Sequence, residues 1–278
     1  HGQRYTYRDL LERATHVAST LRRMGLPIGG KVLLISENRP EWVISYFGIL
    51  KAGGVAVPID REATLDEACN IARHCEPFAC VVSDKVQERI NLRSAMEELA
   101  ADRSAEAGAG KSAIKVLGLS ELVAWTGLFS LAALPPLPPL QLTGRADEMA
   151  SLIFTSGTTG RPKGVMLSHR NFTTLLSKLA TVFDLDKHDG LLSVLPLHHT
   201  FEFAAGMLMP LMRGAQITYL PEVNADTLGD AFEDAHVTGM VGVPALYQAL
   251  YRRITRQLSD RLPESLSPWV LRLLDRLL

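Results

Sequence analysis

The chain has 278 residues, and its 29 Lys and Arg residues nearly balance its 30 Asp and Glu residues, giving a formal net charge of −1. This balance argues against a nucleic-acid-binding protein, which needs a basic surplus to meet phosphates. A content of 47% hydrophobic and 21% charged residues excludes a disordered chain. Three cysteines do not form a disulfide framework, so we expect a reducing compartment and a cytoplasmic protein.

Short runs of aliphatic and β-branched residues alternate along the chain with segments of helical periodicity. In the first half we predict strands at 31–35, 55–59 and 78–82, and helices at 40–51, 64–74 and 86–100. Thr64, with Glu67 three residues later, is a capping-box pattern at the start of one helix. Later strands are predicted at 152–154, 191–194, 217–220 and 237–243. The alternation predicts an α/β fold with mostly parallel sheets flanked by helices.

Three other segments carry expectations of their own. Residues 101–112 are small and polar and predict an exposed loop, and residues 135–139 (PPLPP) predict a stiff spacer. The apolar stretch 117–134 is interrupted by Glu121 and by glycines, which makes it too broken for a membrane span and favours a core helix. A peripheral membrane contact stays open, through a stripe formed by Trp125, Leu128, Phe129 and Leu131.

The end of the chain has helical periodicity without a stop signal. Leu271, Leu274 and Leu278 recur at helical spacing in residues 268–278. No Gly, Asn or Pro follows them to end a helix. We therefore expect the chain to be part of a longer protein.

The segment richest in chemistry follows the predicted strand at 152–154 and reads TSGTTGRPKGV, from Thr155 to Val165. It combines hydroxyl donors with glycines that let backbone N–H groups turn toward an anion. Lys163 adds a positive charge that attracts a polyphosphate. A loop at the carboxyl end of a buried strand lies where α/β sheets bind ligands. The segment predicts a phosphate-binding loop at 155–164, with donors from Thr155, Ser156, Gly157, Thr158, Thr159 and Gly160.

Two better-known phosphate motifs do not fit this segment. A P-loop places its lysine directly after the second glycine and a Ser or Thr after the lysine, whereas Lys163 lies between Pro162 and Gly164. The G-x-G-x-x-G pattern of dinucleotide-binding folds is absent as well. The remaining alternative is a surface turn of ordinary composition.

The order of residues in TSGTTGRPKGV resembles the phosphate-binding signature of the adenylate-forming (AMP-binding) superfamily, which includes acyl-CoA synthetases, peptide-synthetase adenylation domains and beetle luciferases. Further segments resemble the same family in the same order, at 5–10 (YTYRDL), 29–38, 50–60 (LKAGGVAVPID), 195–202 (LPLHHTFE) and 242–246 (GVPAL). Phe201 and Glu202 after the histidines resemble the long-chain fatty acyl-CoA and acyl-carrier-protein synthetases. The likeness spans the chain but only the N-terminal part of the family's length.

The resemblance implies a reaction of a carboxylate, in this branch a fatty acid, with MgATP to give an acyl-adenylate and pyrophosphate. Transfer of the acyl group to CoA or to a carrier-protein pantetheine would follow. It implies that Thr155, Ser156, Gly157, Thr158, Thr159, Gly160 and Lys163 hold the β- and γ-phosphates. It also implies that His199 lies near the reacting carboxylate, so Lys163 and His199 are the candidate catalytic residues. The magnesium ligand, the adenine and ribose contacts and a small domain with a catalytic lysine are expected beyond Leu278, and the chain alone is expected to turn over little substrate.

The resemblance further implies two interleaved αβ subdomains. Residues 61–185, with the loop at 155–164, would form one. Residues 1–60 and 186–278 would form a second, incomplete one.

Several side chains leave alternatives open. His198 and His199 form a candidate metal pair, but adjacent side chains point apart and no further ligand is evident, so we expect no metal site. For Cys69, His74, Cys75 and Cys80 we expect ordinary burial. Glu202 is either functional or a carboxylate at a helix N-terminus. The apolar run 203–212 borders an acyl pocket or belongs to the core.

Two other functions remain open beside the ligase. One is a non-catalytic nucleotide- or acyl-binding module, and the other is a phosphotransferase that uses the hydroxyl-rich loop. The sequence does not indicate the acyl chain length, the acceptor thiol or the oligomeric state.

Overall fold

Strands and helices alternate in the computed structural model, which describes residues 3–107, 114–124, 145–155, 162–220 and 222–261. The first half contains α1 (Tyr7–Arg23), β1 (Lys31–Ile35), α2 (Pro40–Lys51), β2 (Val55–Ile59), α3 (Leu65–Cys75), β3 (Ala79–Val82), α4 (Asp84–Ile90), α5 (Leu92–Ala107), β4 (Lys115–Gly118) and α6 (Leu119–Val123). The second half contains a short 3₁₀ helix (Arg145–Asp147), β5 (Met149–Thr155), β6 (Lys163–Ser168), α7 (His169–Leu179), β7 (Gly190–Ser193), a π-helical segment (Glu202–Leu208), α8 (Met209–Arg213), β8 (Gln216–Tyr219), α9 (Ala225–Asp234), β9 (Gly239–Met240) and α10 (Pro244–Arg261).

The larger sheet has the strand order β4-β3-β1-β2-β5-β6. Its strands run parallel except for β6, which pairs antiparallel with β5. Successive residues of β1 point to opposite faces: Val32 and Leu34 pack into one hydrophobic cluster, and Leu33 and Ile35 pack into another. Both faces are therefore buried under helices, which confirms the predicted α/β class.

The smaller sheet has the order β8-β7-β9, and its strands are parallel. It is joined to the rest of the fold by packing, because Phe203 and Met207 of the π-helical segment lie in the same cluster as Trp42 of α2. The strand predicted over 237–243 is wrong in extent, since only Gly239–Met240 pairs with β7 and the chain leaves the sheet before α10 begins.

Most of the predicted elements are confirmed, including β1, α2 and β2 with their predicted bounds. The capping box is present: the Glu67 N–H donates to the Thr64 hydroxyl (3.2 Å), and the Thr64 N–H donates to the Glu67 carboxylate (2.8 Å). The single helix predicted over 86–100 is wrong. Asn91 adopts a left-handed conformation (φ 43°, ψ 51°) that ends α4 before α5 begins.

Two further predictions are corrected by the described residues. The loop predicted from residue 101 is helical as far as Ala107, because its Ala, Glu and Arg residues favour a helix. The helix predicted from residue 117 starts only after β4, at Leu119. The spacer at 135–139, the helix at 268–278 and the stripe formed by Trp125, Leu128, Phe129 and Leu131 lie outside the described residues. Among the described helices, none is long and apolar enough to cross a membrane.

The predicted division into 1–60 plus 186–278 against 61–185 is also wrong in its first boundary. Residues 31–35 and 55–59 form β1 and β2, which are central strands of the larger sheet. Leu33 pairs with Val57 on one side and with Cys80 on the other. These strands belong with β3 and β5 because backbone hydrogen bonds on both edges of β1 hold them there.

Close packing of α1 on α2 depends on Gly48. A Cβ atom at this position would lie 2.6 Å from the Cβ of Val17, which is fully buried in α1. The two helices therefore approach too closely to admit a side chain between them.

We predict that Gly48→Ala lowers the free energy of unfolding by about 1–3 kcal/mol, because overpacking forces α1 and α2 apart. Gly229→Ala is the matched control: Gly229 is an exposed helical glycine whose added Cβ would meet nothing within 4 Å. This control should stabilise the protein by about 0.5–1 kcal/mol through helix propensity. Equilibrium chemical denaturation measures both values, and a Gly48→Ala protein as stable as the unmutated one would contradict the described packing.

Candidate functional site

The predicted phosphate loop connects β5 to β6 as a hairpin. Thr155 ends β5 and pairs with Lys163, which begins β6. Cross-strand partners in an antiparallel pair project to the same face, and both residues are exposed. A hydroxyl group and an ammonium group therefore flank the base of the loop. The predicted residues Ser156, Gly157, Thr158, Thr159 and Gly160 lie outside the described residues.

The base of the loop lies at the carboxyl edge of the larger sheet, next to Asp60. Ala56 of β2 pairs with Ser151 of β5, and the strands are parallel. Asp60 follows the end of β2 and Thr155 ends β5, so both lie at the carboxyl edge of these neighbouring strands. Ligands of α/β sheets bind outside this edge.

A second segment reaches the same edge from the smaller sheet. Residues 194–199 follow the carboxyl end of β7, and the Nε2 atom of His198 lies 3.6 Å from Oδ2 of Asp60. The rings of His198 and His199 are 4.1 Å apart and tilted by 43°, so the expectation that these adjacent side chains point apart is wrong. The structure thus brings the predicted residue His199 to the edge at which the predicted loop begins, through its neighbour His198.

The two histidines differ in environment. The His198 side chain is 14% exposed, whereas His199 is exposed. Burial lowers the pKa of His198 to about 4; the charges of His199 and Arg61 act in the same direction, and Asp60 opposes them. His198 is therefore a neutral imidazole at pH 7. No group of three or more metal-ligating side chains occurs in the part of the chain that the structure describes.

Asn38 is a site residue that the sequence did not reveal. It follows β1 and reaches across to the segment after β7, where its Nδ2 donates to the Leu195 carbonyl (2.6 Å) and its Oδ1 accepts from the Leu197 N–H (3.0 Å). The only available signal was its position, a polar residue just after a buried parallel strand.

Glu202 is fully buried at the start of the π-helical segment. Its Oε1 accepts a hydrogen bond from the Ser193 hydroxyl (2.6 Å), while its Oε2 has no hydrogen-bond partner among the described residues. Burial raises the pKa of Glu202 to about 7, against the opposing effects of Ser193 and of the Leu195 backbone. Glu202 does lie at a helix N-terminus, as one interpretation predicted, but its burial distinguishes it from a solvated cap.

Gly206 packs directly on this carboxyl group. A Cβ atom at Gly206 would lie 2.5 Å from the Glu202 Cδ atom, so only glycine leaves room for the buried carboxyl. In the apolar run 203–212, Phe203 and Met207 are core residues, while Met212 is 48% exposed.

The remaining candidates lie elsewhere. The thiols of Cys69, Cys75 and Cys80 are buried and form no disulfide, and burial raises the pKa of Cys80. Ordinary burial is therefore confirmed for the cysteines, whereas the burial predicted for His74 is wrong, because its side chain is exposed on α3. A cavity of about 930 Å³ lies between the start of α1, the start of α2 and β8, and none of the predicted site residues that the structure describes lines it.

Comparison with known proteins matches residues 1–271 to the family described as AMP-binding enzyme. Human mitochondrial malonate–CoA ligase ACSF3 is 28% identical over 94% of this chain and 43% of the relative. The chloroplastic long-chain-fatty-acid–[acyl-carrier-protein] ligase AEE15 of Arabidopsis thaliana is 28% identical over 91% of this chain and 36% of the relative.

Solved structures agree with these matches. Apo MatB from Rhodopseudomonas palustris is similar with a TM-score of 0.74 and 26% identity, over 90% of this chain and 46% of that one. The ATP-bound form of MatB is similar with a TM-score of 0.71 and 28% identity over the same shares.

The chain spans less than half the length of these relatives. Within that span the family match covers nearly every residue, and the fold agrees with the solved structures. The chain belongs to the AMP-binding enzyme family, whose members named above include acid–thiol ligases.

Proposed function

We propose that this chain is part of a ligase that activates a carboxylic acid with ATP and then joins the acyl group to a thiol, that of CoA or of a carrier-protein pantetheine. One observation carries the proposal: the base of the phosphate loop and the segment with His199 meet at one sheet edge, through the contact of His198 with Asp60. The 278-residue chain by itself contributes the phosphate-binding and histidine segments, and we expect it to turn over little substrate.

The first step joins a carboxylate oxygen to the α-phosphorus of ATP. The bond from that phosphorus to the bridging oxygen breaks, and pyrophosphate leaves with the electron pair. In the second step the thiolate bonds to the acyl carbon, and AMP leaves. Magnesium, when bound with ATP, neutralises phosphate charge.

Thr155 and Lys163 are placed to bind the phosphates of ATP in the first step. The exposed hydroxyl and ammonium groups at the base of the loop can hold the terminal phosphates of ATP. Negative charge builds on pyrophosphate as it leaves, so donors fixed beside it stabilise the transition state more than the bound substrates.

His199 is placed to bind the carboxylate of the acid. Its imidazole is exposed at the edge beside Asp60 and His198, where an N–H group can donate to a carboxylate oxygen and orient it. Orientation of two reacting groups is itself a large contribution to rate.

For the acid, we propose a long-chain fatty acid. The support is the resemblance of Phe201 and Glu202 to the long-chain branch, together with the Arabidopsis relative that acts on long-chain fatty acids. Phe201 is 57% exposed and adjoins the histidine segment, so it offers apolar surface for an acyl chain. The human malonate–CoA ligase is equally similar to this chain, at 28% identity, so malonate is the alternative acid to test.

We predict that the full-length protein exchanges labelled pyrophosphate into ATP when hexadecanoate is present, and not when malonate replaces it. Exchange requires reversible formation of an acyl-adenylate, so a phosphotransferase does not produce it. Exchange with malonate alone would contradict the fatty acid but keep the ligase. Absence of exchange with every acid tested would favour a non-catalytic nucleotide- or acyl-binding module.

We predict that Lys163→Ala slows adenylation roughly 100-fold in the full-length protein, because a fixed charge beside the departing pyrophosphate is lost. Lys163→Arg should keep more of the rate, since it keeps the charge. Lys178→Ala, which removes an exposed lysine in the last turn of α7, is the control and should have no effect. Single-turnover formation of acyl-adenylate measures the rate. Equal rates for Lys163→Ala and the control would mean that Lys163 is a solvated charge.

A further inference from the structure

The turn before the two histidines is held by one side chain of the other sheet. The Asn38 amide donates to the carbonyl of Leu195 and accepts from the N–H of Leu197, at 2.6 and 3.0 Å. It therefore satisfies the backbone on both sides of Pro196. The Pro196 carbonyl in turn accepts from the His199 N–H (3.0 Å), which continues the turn into the histidine segment.

The same amide belongs to a longer network. Its Nδ2 also lies 3.3 Å from the Ser193 hydroxyl, which donates to Oε1 of Glu202 (2.6 Å). The hydroxyl of Ser193 thus accepts from one neighbour and donates to the other. Hydrogen bonds in such a chain polarise and strengthen one another, and Ser193 and Glu202 are buried while Asn38 is half-buried.

This network, which we term the Asn38 clamp (Asn38, Ser193 and Glu202), links the two sheets. Asn38 follows β1 of the larger sheet, Ser193 ends β7 of the smaller one, and Glu202 begins the helical segment after the histidines. The clamp therefore holds the histidine segment at both of its ends. No strand pairing joins the two sheets in the described part of the chain, so these hydrogen bonds act together with the packing of Phe203 on α2 to hold the segment against the larger sheet.

Glu202 contributes little to stability by itself. Its carboxyl is buried with one oxygen unpartnered, and no salt bridge to it occurs among the described residues. A buried carboxyl without a cation destabilises a fold. What the carboxyl does provide is an acceptor for Ser193, at the point where the histidine segment leaves β7.

We propose that Asn38 and Glu202 are positioning residues for His199 in the adenylation step. The inference rests on the proposed function, in which His199 orients the carboxylate. Asn38 fixes the backbone that enters the histidine segment, and Glu202 fixes the backbone that leaves it. Within the described residues, neither Asn38 nor Glu202 hydrogen-bonds to Thr155 or Lys163 at the base of the phosphate loop, so their loss should misplace His199 without weakening ATP binding.

The test uses the full-length protein and the acid that supports pyrophosphate exchange. Asn38→Ala and Asn38→Asp should lower the kcat of adenylation about 10- to 100-fold, since small displacements of an orienting group have effects of this size. The Kd for ATP should stay within about twofold of the unmutated value in both variants, because Thr155 and Lys163 are untouched. Asn38→Asp has nearly the same shape but replaces the donor by a charged acceptor, so it provides the test if Asn38→Ala does not fold.

Asn70→Ala is the matched control, because Asn70 is an exposed residue of α3 whose side chain accepts from Arg73. Its kcat should be unchanged. Glu202→Gln keeps an acceptor for Ser193 and should retain more activity than Glu202→Ala. The double variant Asn38→Ala/Glu202→Ala should lose little more than either single variant, since both changes release one segment.

The burial of Glu202 has an independent readout in the pH dependence of stability. The neighbours that face its carboxyl are Ser193, the Leu195 backbone and the buried phenol of Tyr219, which is neutral because burial raises its pKa. The pKa of Glu202 in the folded protein is about 7, above that of an unfolded glutamate. Between these two values the folded state holds the proton that the unfolded state has lost, so stability should fall as the pH rises from 5 to 7. Glu202→Gln should remove this part of the slope in chemical denaturation.

The outcomes separate the two proposals. If the unmutated protein shows no exchange with any acid, the proposed function fails and this inference falls with it. If the unmutated protein is active and folded Asn38→Asp keeps its kcat within about twofold, the inference alone is overturned. A loss of kcat accompanied by an equal weakening of ATP binding would also overturn it, because that pattern indicates a general structural defect.

Discussion

The packing of Phe203 against three aromatic rings is the constraint on which the site depends. Trp42 and Tyr46 stack in α2 with ring centres 5.5 Å apart, and Phe203 meets the Tyr46 ring edge-on at 4.8 Å. Phe172 of α7 closes the cluster at 5.1 Å from Phe203. Such pairs add directional energy to burial, so they fix the helical segment in one orientation. Since that segment follows His199 directly, the cluster also anchors the histidines.

The candidate site is assembled from two sheets, and neither sheet contains it whole. The larger sheet contributes the base of the phosphate loop and Asp60, and the smaller one contributes the segment with His198 and His199. Thr155, Asp60 and the histidine segment lie at or beyond the carboxyl ends of parallel strands, and Lys163 begins the antiparallel strand β6 at the same edge, where side chains are free to meet a ligand. The aromatic cluster brings the sheets together, and hydrogen bonds to the turn around Pro196 then set the finer geometry.

How far the sequence could predict this arrangement depends on the range of the forces involved. β1, β2 and the Thr64 cap follow from local pattern, and they are present as predicted. The break at Asn91 was missed because a left-handed residue inside a helical pattern has no periodic signal. The boundary at residue 60 was wrong because strand partners are chosen by contacts between distant segments. The sequence analysis also missed the pairing of Asp60 with His198 and the role of Asn38. Each of these contacts joins residues more than a hundred positions apart, so no local pattern indicates it.

The fold buries the carboxyl group of Glu202, although a carboxyl group is more stable in water. A carboxyl group in an apolar core is costly, and here it further requires a glycine at position 206 to leave it room. An apolar side chain of similar volume would be more stable in this buried position if stability were all that mattered. Residues that lower the stability of a folded protein are found most often at functional sites. A buried carboxyl that holds Ser193, at the exit of β7 and one turn from His199, belongs to a residue of this kind. The cost of its burial is best understood together with the position of the imidazole that it helps to hold.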